Sequence, residues 1–388
     1  MSDRTLNLIP SESTAAQTAG SGFWVEAWRR FRHRRLAMLA LGFIASLALV
    51  ALFAPIVAGT KPIVCRYKGE IYFPCLGYYH AAWENPVFRR DKFRRNAYPW
   101  QLHDKDPESW AVWPLVYQDP YRRVTQRDWG VRDRKTREWA FVPGWEDREP
   151  NPAGVDGVPT GNNFFGTNQQ GVDVFAQMVH GTQVALSVGF ISMGIASAIG
   201  ITIGALAGYL GGWVDILLSR LIELVMCIPT LVLILALVAM LEEVSNFHLM
   251  AIVGVTSWTG IARLTRAEFL KLRQMEFVTA ARALGASPSR IMTRHVLRNA
   301  LAPVLVPITF GIAAAILIES GLSYLGFGAS PPNPSWGALL RSGRNTIQQT
   351  WWLIVFPGTA IFLTVLAYNL IGEGLQEATD PRLRQDSH

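Results

Sequence analysis

Long apolar runs separated by charged segments make up most of this sequence. The first run, residues 36–58, has no charged side chain and is long enough to cross about 30 Å of hydrocarbon at about 1.5 Å per helical residue. Further runs follow at 184–210, 216–241, 249–261, 301–325 and 351–371. The pattern predicts an all-α integral membrane protein with six membrane-spanning helices.

The composition supports a membrane protein. Half of the 388 residues are hydrophobic and 17% are charged, which is too apolar for one ordinary soluble domain of this length. The net charge of +7 does not indicate a nucleic-acid partner, because the arginines cluster beside apolar runs, as at 29–35. Basic flanks orient spans with that side in the cytoplasm. Six crossings then place both termini and the basic segment 263–298 in the cytoplasm.

A polar insert, residues 59–182, separates the first and second runs. It is too charged to enter lipid, and long segments are exported largely regardless of charge, so it is expected outside the cytoplasm. Seven of the 14 Trp residues lie in it, which predicts a folded unit, because disordered linkers are poor in aromatic residues. Most of these rings are expected to form a small core. The alternative is that some of them contact a binding protein.

Within the insert, the stretch PIVCRYKGEIYFPC has the pattern of a β-hairpin that turns at Lys68 and Gly69. Cys65 and Cys75 flank its two arms, and an oxidising compartment would permit a disulfide between them. Two unpaired thiols are the alternative, because the strand register cannot be derived from the sequence. Cys227 lies inside a span and is expected to serve packing. The Cys and His spacing predicts no metal site.

The segment 276–303, EFVTAARALGASPSRIMTRHVLRNALAP, is charged and helix-forming although apolar runs flank it; we name it the coupling segment. Phe277, Ala280, Ala281 and Leu284 recur at helical spacing, and Gly285 ends that helix. A second helix is predicted to begin near Ser287 or Ser289. The small alanine side chains would let the surface of another protein approach the backbone closely.

These residues resemble the EAA loop of ABC importer permeases, a helix that docks in a groove of the cytoplasmic ATPase. The matching positions are Glu276, Ala280, Ala281, Gly285, Ile291, His295 and Leu297. Four more stretches are similar to the second permease of dipeptide and oligopeptide importers: FFGTNQQGVDVF, SWTGIARLTRAEFLKLR, ESGLSYLGFGASPPNPSWGALL and NLIGEGLQEATDPR. The resemblance covers most of 164–382 and implies a type I ABC importer permease fold.

The resemblance also implies partners and a location. The expected partners are a homologous permease, two ATP-binding subunits, a periplasmic peptide-binding protein and a peptide substrate, in the bacterial inner membrane. The long insert resembles the branch that handles oligopeptides, including microcin C. No GxxxxGK[ST] motif occurs, so ATP and Mg are expected on the partner ATPases, with no cofactor and no catalytic residue in this chain. The alternatives are an ion-coupled secondary transporter and a membrane-anchored extracytoplasmic sensor.

Two features within the spans are candidates for mechanism. Gly200, Gly204 and Gly208 recur every four residues and predict a close helix contact, either within this chain or with a second permease. Glu319 is the candidate for the translocation path or its outer gate, because ionisable groups within spans are often functional. An interfacial position is the alternative for Glu319. Pro229 and Pro303 predict kinks, and Trp336, Trp351 and Trp352 are expected at the outer membrane interface.

The predictions divide the chain as follows. The segments are a cytoplasmic tail and surface helix (1–35), the first transmembrane helix (36–58), the periplasmic insert (59–182), a permease core (183–375) that contains a cytoplasmic coupling loop (263–300), and a cytoplasmic tail (376–388). Residues 1–20 are expected to be disordered because they are polar and show no apolar period.

Overall fold

A computed structural model of the chain describes residues 23–80, 83, 88, 93, 97–133, 135–329 and 333–379. The predictions for residues 1–22 and 380–388, which include most of both terminal tails, lie outside the described residues.

Helices account for most of the described chain. They are α1 (Phe23–His33), α2 (Arg35–Leu52), α3 (Ala54–Val57), α4 (Tyr98–Lys105), α5 (Val174–Leu210), α6 (Gly212–Met226), α7 (Thr230–Ala239), α8 (Asn246–Thr256), α9 (Trp258–Leu272), α10 (Glu276–Ala283), α11 (Pro288–Arg290), α12 (Leu297–Leu325), α13 (Trp336–Gly343) and α14 (Trp352–Thr379). One π-helical turn, Ile291–Val296, joins α11 to α12. The short 3₁₀ helices whose bounds the structure describes in the insert are Pro74–Tyr78, Gln126–Asp128 and Gly154–Asp156.

Five helical segments of the described chain are long and apolar enough to cross a membrane. They are Arg35–Leu52, Val174–Leu210, Asn246–Leu272, Pro288–Leu325 and Trp352–Thr379. The pair α6 and α7 would supply a sixth span, although it is bent by 76° between its two halves. The multi-span helical fold that the apolar pattern predicts is therefore confirmed.

The third predicted span, 216–241, is not one straight helix. It breaks at 227–229, where Pro229 has no amide hydrogen to donate and precedes the first residue of α7. The fourth span is longer than predicted because α8 and α9 continue one another across Ser257. The fifth is also longer, since helical backbone runs from Pro288 to Leu325 and continues through Pro303 without a break.

Helix α5 lies at the centre of the membrane part. It packs against α8, α9 and α12, while α14 packs against α12 and α2. The largest cluster of buried apolar side chains joins these helices, with Ala196, Val253 and Ile316 among its fully buried members. Because α5 is buried on several sides, its sequence is apolar all round rather than on one stripe.

The insert adds short strands to this helical frame, so the all-α description applies to the spans and not to the whole chain. A three-stranded antiparallel sheet has the order β2 (Glu70–Tyr72), β1 (Val64–Tyr67), β3 (Trp110–Val112). A second sheet pairs β4 (Gly130–Arg132) with β5 (Trp139–Phe141). The first hairpin turns at Lys68 and Gly69, both with positive φ, as a two-residue turn of this kind requires.

The end of the insert is fixed to α5 by a buried polar cluster. Asp173 accepts a hydrogen bond from the Ala176 amide at 2.7 Å, which caps α5, and another from Asn163 Nδ2 at 2.8 Å. Burial raises the pKa of Asp173 to about 6, and these hydrogen bonds oppose the shift. Helix α5 therefore begins at Val174, so residues 174–182 of the predicted insert are part of the helix that forms the second candidate span.

Two of the three tryptophans expected at the membrane interface are instead buried. Trp336 is 1% exposed and donates from Nε1 to the Met178 carbonyl at 3.1 Å, and Trp352 is fully buried and donates to the Thr167 carbonyl at 2.9 Å. Trp351 is 46% exposed. The two buried indoles hold α13 and α14 against α5 and the end of the insert.

Candidate functional site: the coupling segment and the helix contacts behind it

The coupling segment forms a helical elbow. Helix α10 ends at Ala283, and Gly285 adopts a φ of +80° that side chains with a Cβ rarely tolerate. The Ala286 amide then donates to the Ala281 carbonyl at 3.1 Å, which closes the turn. The next helix begins after Ser287, whose Oγ accepts from the Arg290 amide. Gly285 and Ser287 therefore stop and restart the helix as the sequence predicts.

One side of the elbow packs on the body of the chain. Val278, Ile291 and Val296 are each at most 1% exposed and contact Phe269 and Leu272 of α9. Ala281 is half-buried beside the same cluster, and His295 is also half-buried. Val278 is an anchor that the sequence analysis missed, because spacing alone does not show which face of a short helix turns inward.

The opposite side of α10 exposes apolar side chains. Leu284 is 88% exposed and Phe277 is 37% exposed, and Ala280 lies on the surface between them. Their spacing of three and four residues places all three on one face of the helical turn; we name these residues the coupling face. Glu276, in the first turn of α10, is exposed next to it. In the described chain nothing covers this face.

Two arginines tie the elbow to the candidate spans of α5 and α6. Arg266 lies on α9, and Arg273 directly follows that helix. Arg273 Nη1 donates to the carbonyls of Gly208 and Tyr209, at 3.2 and 3.4 Å, and so holds the end of α5. Arg266 forms a two-pronged ion pair with Asp215 of α6, with Nη2 2.8 Å from Oδ2. Both contacts are therefore made by the segment that leads into α10.

The glycine series of α5 packs against α9 of the same chain. A Cβ built on Gly200 would lie 2.7 Å from the Trp258 carbonyl oxygen, and one on Gly204 would lie 2.4 Å from that of Ala262. At Gly208 the Arg266 carbonyl oxygen would be 2.6 Å away. The sequence left open whether these glycines contact a helix of this chain or a second permease, and the structure shows the contact within this chain. It brings the backbones of α5 and α9 together directly behind the elbow.

Glu319 lies inside the subunit. It is 1% exposed, and Ser323 Oγ donates to its Oε1 at 2.7 Å. Ser320 and Ser335 also hydrogen-bond its carboxyl group, and Ser335 caps α13. The structure therefore places the carboxyl group of Glu319 in a buried position between α12 and the start of α13. A role of Glu319 in the translocation path or its outer gate stays a prediction.

Both cysteines of the insert are free thiols in the structure. Cys65 faces Tyr72 across the hairpin rather than Cys75, and Cys75 Sγ lies 3.4 Å from the Ile63 carbonyl oxygen. Burial raises the pKa of Cys65 to about 12, so its thiol stays protonated at neutral pH. Cys227 is also free and is exposed at the break between α6 and α7. Among the described residues, no group of three His, Cys, Asp or Glu side chains could hold a metal ion.

Comparisons with known proteins agree with the motif. The family model described as binding-protein-dependent transport system inner membrane component matches residues 200–385. A second model, the N-terminal TM domain of oligopeptide transport permease C, matches residues 22–67. The first match includes the coupling segment and the glycine series, and the second includes α1 and α2.

Individual relatives extend this match over nearly the whole chain. The peptidoglycan transport system permease protein YejE of Agrobacterium fabrum is 33% identical over 92% of this chain and 92% of its own length. The inner membrane ABC transporter permease protein YejE of Escherichia coli is 31% identical over 91% of this chain and 96% of its own length. The dipeptide transport system permease protein DppC of Alkalihalophilus pseudofirmus is 39% identical over 61% of this chain and 77% of its own length.

The family resemblance that the sequence analysis based on the coupling segment is confirmed. Two relatives match at more than 30% identity over almost their full length, and the family model covers the elbow together with α6, α9, α12 and the end of α5. The chain belongs to the family of inner membrane components of binding-protein-dependent transport systems, which are the permease subunits of ABC importers.

Proposed function

We propose that this chain is the permease subunit of an ATP-driven importer of peptides, and that it forms the translocation path together with a second, homologous permease. One observation carries this proposal: the chain presents an uncovered apolar coupling face on an elbow that is rigidly joined to its spans. The names of the relatives support peptides as the substrate class, since they specify dipeptide and peptidoglycan transport.

The elbow can transmit a movement into the membrane. The helical backbone that follows Gly285 runs unbroken through 38 residues, from the elbow to the far end of the fifth candidate span. On the other side, α9 leads into α10 and is bound to α5 and α6 by Arg273 and Arg266. A push on the coupling face therefore reaches four candidate spans as a rigid displacement, which is the kind of movement that alternating access requires.

Two ATP-binding subunits would supply that push and would hold the ATP and Mg²⁺. An exposed Leu and Phe separated by a small Ala are suited to insertion into a groove of a partner, where buried apolar anchors give most of the binding energy. Both termini and the elbow would then lie in the cytoplasm of a bacterium, with the chain in the inner membrane. The insert would lie in the periplasm.

On the proposed periplasmic side, the insert offers a surface for a peptide-binding protein. Leu115 is 81% exposed and Phe164 is 51% exposed, and both border a cavity of about 330 Å³. Arg148 and Glu149 also line this cavity and supply charge beside the apolar rim. Exposed apolar residues with a charged border are typical of surfaces that receive a protein.

The proposed topology predicts opposite labelling of two introduced cysteines. Asp104→Cys, on the exposed side of α4, should react with a membrane-impermeant maleimide in intact spheroplasts, whereas Arg282→Cys on α10 should react only after the membrane is ruptured. Cys227→Ser provides the background, because Cys227 is exposed while Cys65 and Cys75 are buried. The reverse labelling order would show that the orientation is wrong.

The proposed function is tested by purification and reconstitution. The tagged chain, extracted from its native membrane, should bring down a second permease and two ATP-binding subunits in fixed ratio. Vesicles that contain this complex and the binding protein should accumulate labelled peptides only when ATP is hydrolysed.

Other outcomes separate the alternatives. Peptide uptake driven by an ion gradient without ATP would support a secondary transporter instead. Ligand binding to the insert without any uptake would support a sensor. ATP-driven uptake of a substrate that is not a peptide would retain the permease and overturn the substrate class.

A further inference from the structure

Helix α1 has an exposed surface that the coupling role does not use. It ends at His33, one residue before α2 begins at Arg35, and α2 is a candidate membrane span. Leu36 and Leu39, in the first turns of α2, are 65% and 70% exposed, as expected for side chains that face lipid. The position of α1 is thereby fixed at the edge of the bilayer.

The inner face of α1 is anchored to α14. Ala27 and Phe31 are each 6% exposed, and Phe31 contacts Gly374 so closely that a Cβ built there would lie 3.0 Å from the ring. Arg34, which lies between α1 and α2, forms an ion pair with Glu377 of α14. These contacts determine which side of α1 turns outward.

The outward side combines apolar and basic residues. Val25, Trp28, Arg29 and Arg32 are spaced as i, i+3, i+4 and i+7, so they share one face of the helix. Val25 is 62% exposed and Trp28 is 53% exposed, and both arginines are exposed as well. A helix with this arrangement has the chemistry of one that lies in the interface between lipid and water.

Part of the basic charge on this surface is not neutralised by the residues that the structure describes. Residues 29–35 contain five arginines. Arg30 pairs with Glu26 at 2.7 Å, and Arg34 pairs with Glu377. The other three, Arg29, Arg32 and Arg35, form no ion pair with an acidic side chain of the described chain, and all three are exposed.

We propose that Arg29, Arg32 and Arg35 form a binding site for the headgroups of anionic phospholipids, with Val25 and Trp28 inserted beside them. A guanidinium group matches a phosphate with two parallel hydrogen bonds, and an indole ring settles at headgroup depth. Basic clusters that directly adjoin a transmembrane helix attract anionic lipids for the same electrostatic reason. The span that begins at Arg35 holds this cluster at the depth where lipid phosphates lie.

The site should select anionic over neutral lipid. The full-length chain, extracted with a mild detergent from vesicles of phosphatidylcholine and phosphatidylglycerol, should retain phosphatidylglycerol above its share in the vesicles. Mass spectrometry of the bound lipid measures this enrichment. In the variant R29Q/R32Q/R35Q, the enrichment of phosphatidylglycerol should fall by a factor of at least about five. This is the effect expected when one or more basic residues are removed from an anionic surface. Gln preserves helix propensity, so α1 should still form.

A second triple variant controls for total charge. R127Q/K135Q/R137Q removes the same charge from exposed positions of the insert and should retain the enrichment. Equal enrichment in the wild-type chain and R29Q/R32Q/R35Q would overturn the proposal, as would an equal loss in both triple variants. If lipid retention is unchanged but R29Q/R32Q/R35Q loses a protein subunit, the surface binds that protein and not lipid.

Discussion

Leu284→Asp should abolish transport while leaving the subunit folded and inserted. Leu284 is 88% exposed, so the subunit itself loses almost no packing when the side chain changes. In the complex, the substitution would place a charge in an apolar contact with the ATP-binding subunit. Loss of such an anchor costs about 2 kcal/mol or more, which corresponds to a binding constant weakened roughly thirtyfold. Co-purification of the ATP-binding subunits and ATP-driven uptake both measure the loss.

Thr279→Asp is the matched control for this prediction. Thr279 is also exposed on α10 but lies five residues before Leu284, which turns it about 140° away around the helix. The charge and the helix are the same in the two variants, and only the face differs. Full uptake by Leu284→Asp, or equal loss in both variants, would show that the coupling face does not dock an ATP-binding subunit.

The turn of the elbow is predictable from sequence because local chemistry determines it. Gly285 can take a positive φ without strain, and the Ser287 hydroxyl can cap the helix that follows. Neither feature depends on distant parts of the chain. The orientation of α10 is different, since Val278 is anchored by Phe269 and Ile291, and only the folded structure shows which apolar residues meet.

The distinction between local chemistry and tertiary packing also decides how much of the membrane spans can be predicted. Apolar length identifies them, because each must cover about 30 Å of hydrocarbon. It does not show that α6 and α7 meet at 76°, since the angle is a tertiary property, although Pro229 marks the place of the break.

Isolated polar and aromatic residues within or beside spans are the least predictable from sequence. Trp336 and Trp352 have the composition of interface anchors, but backbone carbonyls of Met178 and Thr167 accept their indole hydrogens inside the protein. Glu319 is an isolated ionisable group in the sequence, and the structure shows that Ser320, Ser323 and Ser335 hydrogen-bond its carboxyl group inside the protein. The carbonyl partners of the two indoles are remote in sequence, and Ser335 reaches Glu319 only because α13 packs on α12.

Gly204→Ala should destabilise the membrane domain more than any other single added methyl group in the glycine series. The new Cβ would lie 2.4 Å from the Ala262 carbonyl oxygen and 2.7 Å from Thr265 Cβ, so α5 and α9 must move apart. Overpacking of this kind costs about 1 to 3 kcal/mol. The better helix propensity of Ala returns up to about 1 kcal/mol. Thermal unfolding in detergent should therefore occur several degrees lower than in the wild-type chain.

Gly194→Ala isolates the packing effect from the helix propensity. Gly194 lies on the same helix, but a Cβ built there meets no atom within 4 Å. Only the favourable propensity remains at that position, so unfolding should occur at the wild-type temperature or slightly above it. If the two variants unfold at the same temperature, then α5 and α9 are not packed through these glycines. In that case the coupling segment would lack the rigid support that a push from the ATP-binding subunits needs.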